Sequence, residues 1–131
     1  MICYCIIFRA SKLLNILKNE EFAKLKQGRE WEDIRAGDAV EVEKLAYMTA
    51  PVADKFRGLV IARTNRGSDS AITIINSEYG TNIVRDVVLY SPLIQNIRIL
   101  QKAFIHKGKK RVRRSKLYYM LDRDPEEYTI K

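Results

Sequence analysis

The feature that most restricts the fold is a change of hydrophobic period at Ile34. Beyond it, Val40 and Val42 alternate with Glu41 and Glu43, the two-residue period of a half-buried strand, and Gly37-Asp38 supplies the turn leading in. The same reading marks strands at Phe56–Arg63, Ala71–Asn76, Ile83–Leu89 and Ile94–Phe104. Ser77-Glu78-Tyr79-Gly80-Thr81-Asn82 has the residues of a hairpin loop, and Ser91-Pro92 sets off the last strand. Gly58 falls where a bulge or sharp bend would help a small sheet curl. Consecutive short strands with tight connections argue a mainly β fold, a small antiparallel barrel, because closure removes exposed edges. Alternation points Val40, Ile61 and Ile74 inward.

Before Ile34 the pattern is helical. From Ser11 to about Lys26, Leu14, Leu17, Phe22 and Leu25 share one sector at 100° per residue, while Leu13 and Ile16 fall outside it. Ser11 is placed to cap this helix and Gly28 to stop it. The polar stretch from Gln27 to Asp33 reads as a linker pinned by Trp31. The chain thus divides into an N-terminal helical extension and linker (1–33), the β-barrel (34–106) and a C-terminal segment (107–131).

That C-terminal segment carries the chemistry. From Arg98 to Leu121 there are nine Lys or Arg and no Asp or Glu. Such a run is either a solvated basic face or a contact for a dense anion. Arginine predominates near its centre, no acid interrupts it, and it runs into Tyr118-Tyr119. Arginine bonds phosphate bidentately and tyrosine stacks on an exposed base, so nucleic acid is the favoured partner. The candidate RNA-binding residues here are Lys107, Lys109, Lys110, Arg111, Arg113, Arg114, Lys116, Tyr118 and Tyr119. A second candidate is the loop after the second strand, where Arg63, Asn65 and Arg66 stand beside Gly67, which lets backbone amides approach phosphate. The net charge of +8 over 131 residues suits an anionic partner.

Other chemistries find little support. No apolar run reaches the roughly 18 residues that a spanning helix needs. Cys3 and Cys5 with the single His106 are too few ligands for a zinc site within one chain, so free thiols and no metal or cofactor are expected. His106 lies among lysines, distant in sequence from either cysteine, and no phosphate-binding or dinucleotide glycine loop is present, so no enzyme and no small-molecule substrate are expected. The acids Asp122, Asp124, Glu126 and Glu127 read as a tail that pairs with nearby arginine or with a basic neighbour.

The run Arg111-Val112-Arg113-Arg114-Ser115-Lys116-Leu117-Tyr118-Tyr119-Met120-Leu121 resembles the C-terminal signature of the bacterial-type large-subunit ribosomal protein nineteen family. Gly37-Asp38-Ala39-Val40-Glu41-Val42, Phe56-Arg57-Gly58-Leu59-Val60-Ile61-Ala62 and Asn65-Arg66-Gly67 extend the likeness in order, over about Ile34 to Leu121. The resemblance implies an SH3-like barrel with extensions and adds Arg57 to the RNA-binding set. It also implies a structural constituent of the large ribosomal subunit, bound to ribosomal RNA near the interface with the small subunit. There it would support an intersubunit bridge, with contact to small-subunit RNA and with large-subunit proteins three and fourteen as neighbours. The alternative is a free-standing KOW-like RNA-binding barrel. The loop from Lys44 to Lys55 departs from the more basic loop expected in bacterial relatives. An acid-free start as far as Asn19 and the acidic tail point to a mitochondrial ribosome, with plastid or bacterial cytoplasm as alternatives.

Overall fold

A computed structural model describes the backbone of residues 2–29, 31 and 33–130, and within these the side chains from Ala10 onward. The expected thiols of Cys3 and Cys5 therefore lie outside the described side chains. The chain runs as helix α1 (Ile2–Lys26), then strands β1 (Ala39–Leu45), β2 (Ala53–Thr64), β3 (Ala71–Glu78), β4 (Thr81–Val88) and β5 (Ile94–Gln101), with short 3-10 turns after β2 and β5. All pairings are antiparallel, in the order β4-β3-β2-β1-β5.

Helix α1 begins well before Ser11, which lies inside it rather than at its cap. No Gly or Pro interrupts residues 2–26, and extending an existing helix adds a hydrogen bond for each residue ordered. Gly28, at φ +77°, ends it as expected. Only part of the expected apolar sector is packed. Phe22 and Leu25 sit on the first core, with the Phe22 ring edge-on to Tyr90 at 4.9 Å, while Leu13, Leu14, Ile16 and Leu17 are exposed. Trp31 packs on the same core and pins the linker.

The sheet does not close, and β4 and β5 remain its edges. It curls instead, so that Val87 of β4 and Ile94 and Ile97 of β5 share one core with Val40, Val42, Val60, Ile72 and Ile74. Gly58 permits this curl by close approach rather than by a bulge. A Cβ there would lie 2.3 Å from Ile74 Cγ2 and 2.7 Å from the Ile75 carbonyl oxygen, and backbone cannot yield as a side chain can. The bulge falls later, between Val60 and Ala62.

Ile61 does not face the core that holds Val40 and Ile74. Val60 faces that core, and Ile61 lies with Leu59, Ala62 and Ile75 in a second core on the opposite side of the sheet. The covering layer there comes from the C-terminal segment. Leu117, Met120 and Tyr128 are fully buried in it, the Leu117 amide donates to the Ile61 carbonyl at 2.9 Å, and Lys116 bridges to Ala62. In the tail, Arg123 pairs with Glu127 at 3.6 Å. Strand β2 is thus buried on both faces from Leu59 to Ala62, which explains its continuous apolar run.

Tyr128 closes this second core with its hydroxyl buried and without a hydrogen-bond partner among the described residues. Burial, and then the charge of Asp124, push its phenol above the ordinary value of 10.0. The fold therefore favours the neutral phenol. That contribution is whole below the unfolded value near 10 and is lost as pH rises through the folded one. Tyr128→Phe should be neutral or stabilising by roughly 1 kcal/mol at pH 7, since it removes an unsatisfied buried group, and should lose less stability than wild type above pH 10. Denaturant unfolding at pH 7 and at alkaline pH checks both; clear destabilisation at pH 7 would show that the hydroxyl is bonded.

Candidate nucleic-acid interface

The site is built where three strand ends meet. The Gly37 amide donates to the Val60 carbonyl at 2.8 Å, the Val60 amide to the Asp38 carbonyl at 2.9 Å and the Phe104 amide to the Gly37 carbonyl at 2.9 Å. Asp38, a buried carboxylate, accepts from the Ala103 amide through Oδ1 at 2.8 Å and from the Arg35 amide through Oδ2 at 3.0 Å. The lead-in to β1, the second half of β2 and the chain leaving β5 are therefore tied to one turn.

Gly37, at φ +95°, leaves its outer side open, and Val112 fills the space: a Cβ on Gly37 would meet Val112 Cγ2 at 2.9 Å. Val112 also packs against the second core. One apolar residue in the middle of the arginine run thus fixes the run to the body, and its neighbours are left to line two clefts. The larger, about 510 Å³, brings Arg111, Arg113 and Arg114 together with Arg35, Arg63 and Asn65. Among the described residues that line it, the one carboxylate, Asp38, already accepts two backbone amides. Arg63 is oriented within the cleft, donating from Nε to Asn65 Oδ1 and from Nη1 to the Ile34 carbonyl, both at 2.8 Å. The second cleft, about 430 Å³, lies against the same arginines and adds His106, Lys110 and Arg123.

This arrangement sorts the residues named from sequence. Arg63, Asn65, Arg111, Arg113 and Arg114 converge in the first cleft, and Lys110 joins the second. Lys107 and Lys109 are exposed in the turn that precedes the run, Lys107 at φ +51°. Lys116 is exposed beside its bridge to Ala62. Arg66 and Gly67 turn away to a separate cleft beside Asn15, Lys18 and Asn19 of α1. The two tyrosines divide: Tyr118 is half exposed, whereas Tyr119 packs on the second core with Arg114 and Arg123 Cζ at 5.6 and 6.0 Å from its ring. Arg57 belongs to another cluster. Its Nε donates to Glu41 Oε1 at 2.9 Å directly across β1 and β2, beside Lys55 and Arg98, which flank Glu43 at 3.0 and 3.7 Å. The Arg57 hydrogen bond holds the Glu41 carboxyl below its ordinary value, against the effect of burial.

Sequence reasoning does not include Arg35 or Arg123 among the candidate contacts, whereas it reads His106 as a further RNA-facing polar group. Arg35 carried a usable signal, since a residue leading into β1 necessarily lies beside the end of its antiparallel neighbour β2. Arg123 stands among the tail acids and gave none. Among the described residues no group of three or more His, Cys, Asp or Glu is placed to hold a metal ion, and no helix is long and apolar enough to cross a membrane.

Comparison with known proteins gives the family. The family profile described as Ribosomal protein L19 matches residues 15–131. The Large ribosomal subunit protein bL19 of Orientia tsutsugamushi strain Boryong is 35% identical over 109 residues, covering 82% of each chain. Its counterpart in strain Ikeda is 34% identical over 109 residues, again 82% of each. The chain therefore belongs to the ribosomal protein L19 family, whose members are structural and not enzymatic components of the ribosome.

Proposed function

We propose that this protein is a constituent of the large ribosomal subunit that binds ribosomal RNA through the paired clefts around Arg111–Arg114. The observation that carries the reading is the convergence of Arg35, Arg63, Arg111, Arg113 and Arg114 on one cleft in which Asp38, the one carboxylate among the described lining residues, is already engaged. Guanidinium groups gathered on one cleft make a surface that attracts a dense anion, and a phosphate backbone is such a partner. The name carried by its relatives, large-subunit protein, supports the same assignment. Because the arginine run lies between two clefts, it is placed to touch two phosphate paths. From the family resemblance we take a position near the small subunit, support of an intersubunit bridge, and large-subunit proteins three and fourteen as neighbours.

Sedimentation tests the assignment: the protein should travel almost wholly with large subunits, and a population free of ribosomes would point to a separate RNA-binding factor. For the site, the Arg111→Ala, Arg113→Ala, Arg114→Ala triple variant should lose about 2 units from the slope of log affinity against log salt, since each phosphate neutralised contributes roughly 0.7 to 0.9. Tyr118→Leu should weaken binding with little change of slope, because stacking releases no counterions. Titration of the purified proteins with a large-subunit RNA fragment across a salt series reads both. An unchanged slope in the triple variant would make the run a solvated face.

A mitochondrial ribosome is the compartment we favour, on the basic helix that carries Arg9, Lys12 and Lys18 before its first acid at Glu20. Fusing residues 1–33 to a fluorescent reporter should direct it to mitochondria, and a diffuse cytosolic signal would count against this.

A further inference from the structure

Arg66 and Gly67, which turn away from the arginine clefts, belong to a third site that α1 completes. Asn15, Lys18, Asn19 and Phe22 stand at i, i+3, i+4 and i+7, one stripe of the helix, and α1 packs against the turn Gly67–Asp69. At Phe22 and Leu25 the helix meets the first core. Before Phe22 the stripe turns polar, and a cleft of about 330 Å³ opens between it and the turn. Asparagine is a poor helix former, because its amide competes for the backbone, so two of them one turn apart weaken the helix unless a partner engages them. Among the described residues, the side chains of Asn15, Lys18, Asn19 and Arg66 make no hydrogen bond or ion pair. The opposite wall is fixed in advance. The hydroxyl of the buried Ser70 donates to the Gly67 carbonyl at 2.7 Å and accepts from the Arg66 amide at 3.1 Å, while Gly67 takes the left-handed conformation of the turn at φ +60°. Asp69 also lines the cleft, its carboxylate accepting a long hydrogen bond from Ser68 at 3.4 Å.

We infer that this cleft holds one unstacked nucleotide of RNA, its base edge against Asn15, Asn19 and Asp69 and its phosphates beside Lys18 and Arg66. This rests on the proposed function, which makes RNA the partner, and adds a mode of recognition that the arginine clefts lack. A phosphate path asks only for cations, and a carboxylate with two amides is out of place there. A base edge carries donors and acceptors together, and amide and carboxylate side chains answer both. Phe22, half-buried and edge-on to Tyr90, gives the base an apolar floor. Unpaired bases are the part of RNA that side chains read by sequence, so this cleft is where the chain tells one RNA site from another. Helix α1 is thereby part of the binding surface and not only an extension of the barrel.

Binding of the purified full-length protein to large-subunit RNA and to a fully paired RNA duplex separates base from backbone. The Asn15→Ala, Asn19→Ala variant should keep the thermal midpoint or raise it, since Ala favours the helix. Its affinity for large-subunit RNA should fall about tenfold, as loss of amide contacts to a base edge does, with the slope of log affinity against log salt unchanged. Its affinity for the duplex should equal that of wild type. The Lys18→Ala, Arg66→Ala variant should instead lose about 1.4 units of slope on large-subunit RNA, about 0.7 for each phosphate of a single strand. Unchanged affinity of the asparagine variant for large-subunit RNA would overturn the inference, and so would an equal loss on both RNAs, which would make the cleft a path for backbone alone. In assembled subunits a photocrosslinker in place of Asn19 should give an adduct that ribonuclease digests, whereas a resistant adduct with a protein would refute the nucleotide. Should wild type itself fail to bind large-subunit RNA, the proposed function falls and this inference with it; wild-type binding beside an unaffected asparagine variant removes this inference alone.

Discussion

The rest of the structure depends on one buried carboxylate. Asp38 accepts the amides of Arg35 and Ala103 and so joins the approach to β1 to the exit from β5, while the backbone of Gly37 and Asp38 exchanges hydrogen bonds with Val60 in β2. Ala103 stands at φ +53°, a conformation that alanine does not choose freely and that persists where its surroundings hold it. Removing the carboxylate would leave two amides without their partner and release the chain leading to the arginine run. The local cost of an unsatisfied buried donor, about 1 to 3 kcal/mol, is a sizeable share of the stability of a small domain.

From this turn the functional geometry follows. Gly37 has no side chain, so Val112 packs there, and the arginines on either side of Val112 are brought to Arg35 and Arg63. Gathering these charges opposes folding. The opposing term is the second core, in which Leu117, Met120 and Tyr128 bury themselves against β2 and β3. At about 25 cal/mol per Å² of apolar area, such side chains each contribute on the order of 1.5 to 3 kcal/mol, more than the repulsion between exposed charges costs. The segment that carries the proposed RNA-binding residues is therefore itself a layer of the fold. A surface ordered before it binds avoids the entropic cost of ordering at the moment of contact.

How much of this could be read from the sequence depended on periodicity. The strands were legible because Val40 and Val42 alternate with glutamates and the turns carry Gly, Pro and Asn, and each observed strand overlaps its expected span. The arginine block was legible as composition. The second core was not, because Leu117, Met120 and Tyr128 are scattered among charges with neither a helical nor a strand period, and a basic segment reads as solvated. The orientation of Ile61 was missed for a related reason: Leu59 to Ala62 is apolar throughout, and a bulge after Val60 shifts the alternation that would assign faces. Arg57 could be named but not placed, since its pairing with Glu41 depends on register, which a single strand does not reveal. The open sheet edges were likewise a matter of tertiary pairing, not of any one strand.

The arginine run is seated on the fold before any partner arrives. Amide hydrogen exchange of the free protein tests it most directly, at Leu117, whose amide donates to Ile61, and at Ala103, whose amide donates to Asp38. Both amides should be protected to a degree comparable with those of the central strands β1 and β2, opening only with the whole domain. Exchange of the Leu117 amide at the rate of an unstructured chain, with β1 and β2 still protected, would show that the C-terminal segment folds only on its partner and would contradict the account.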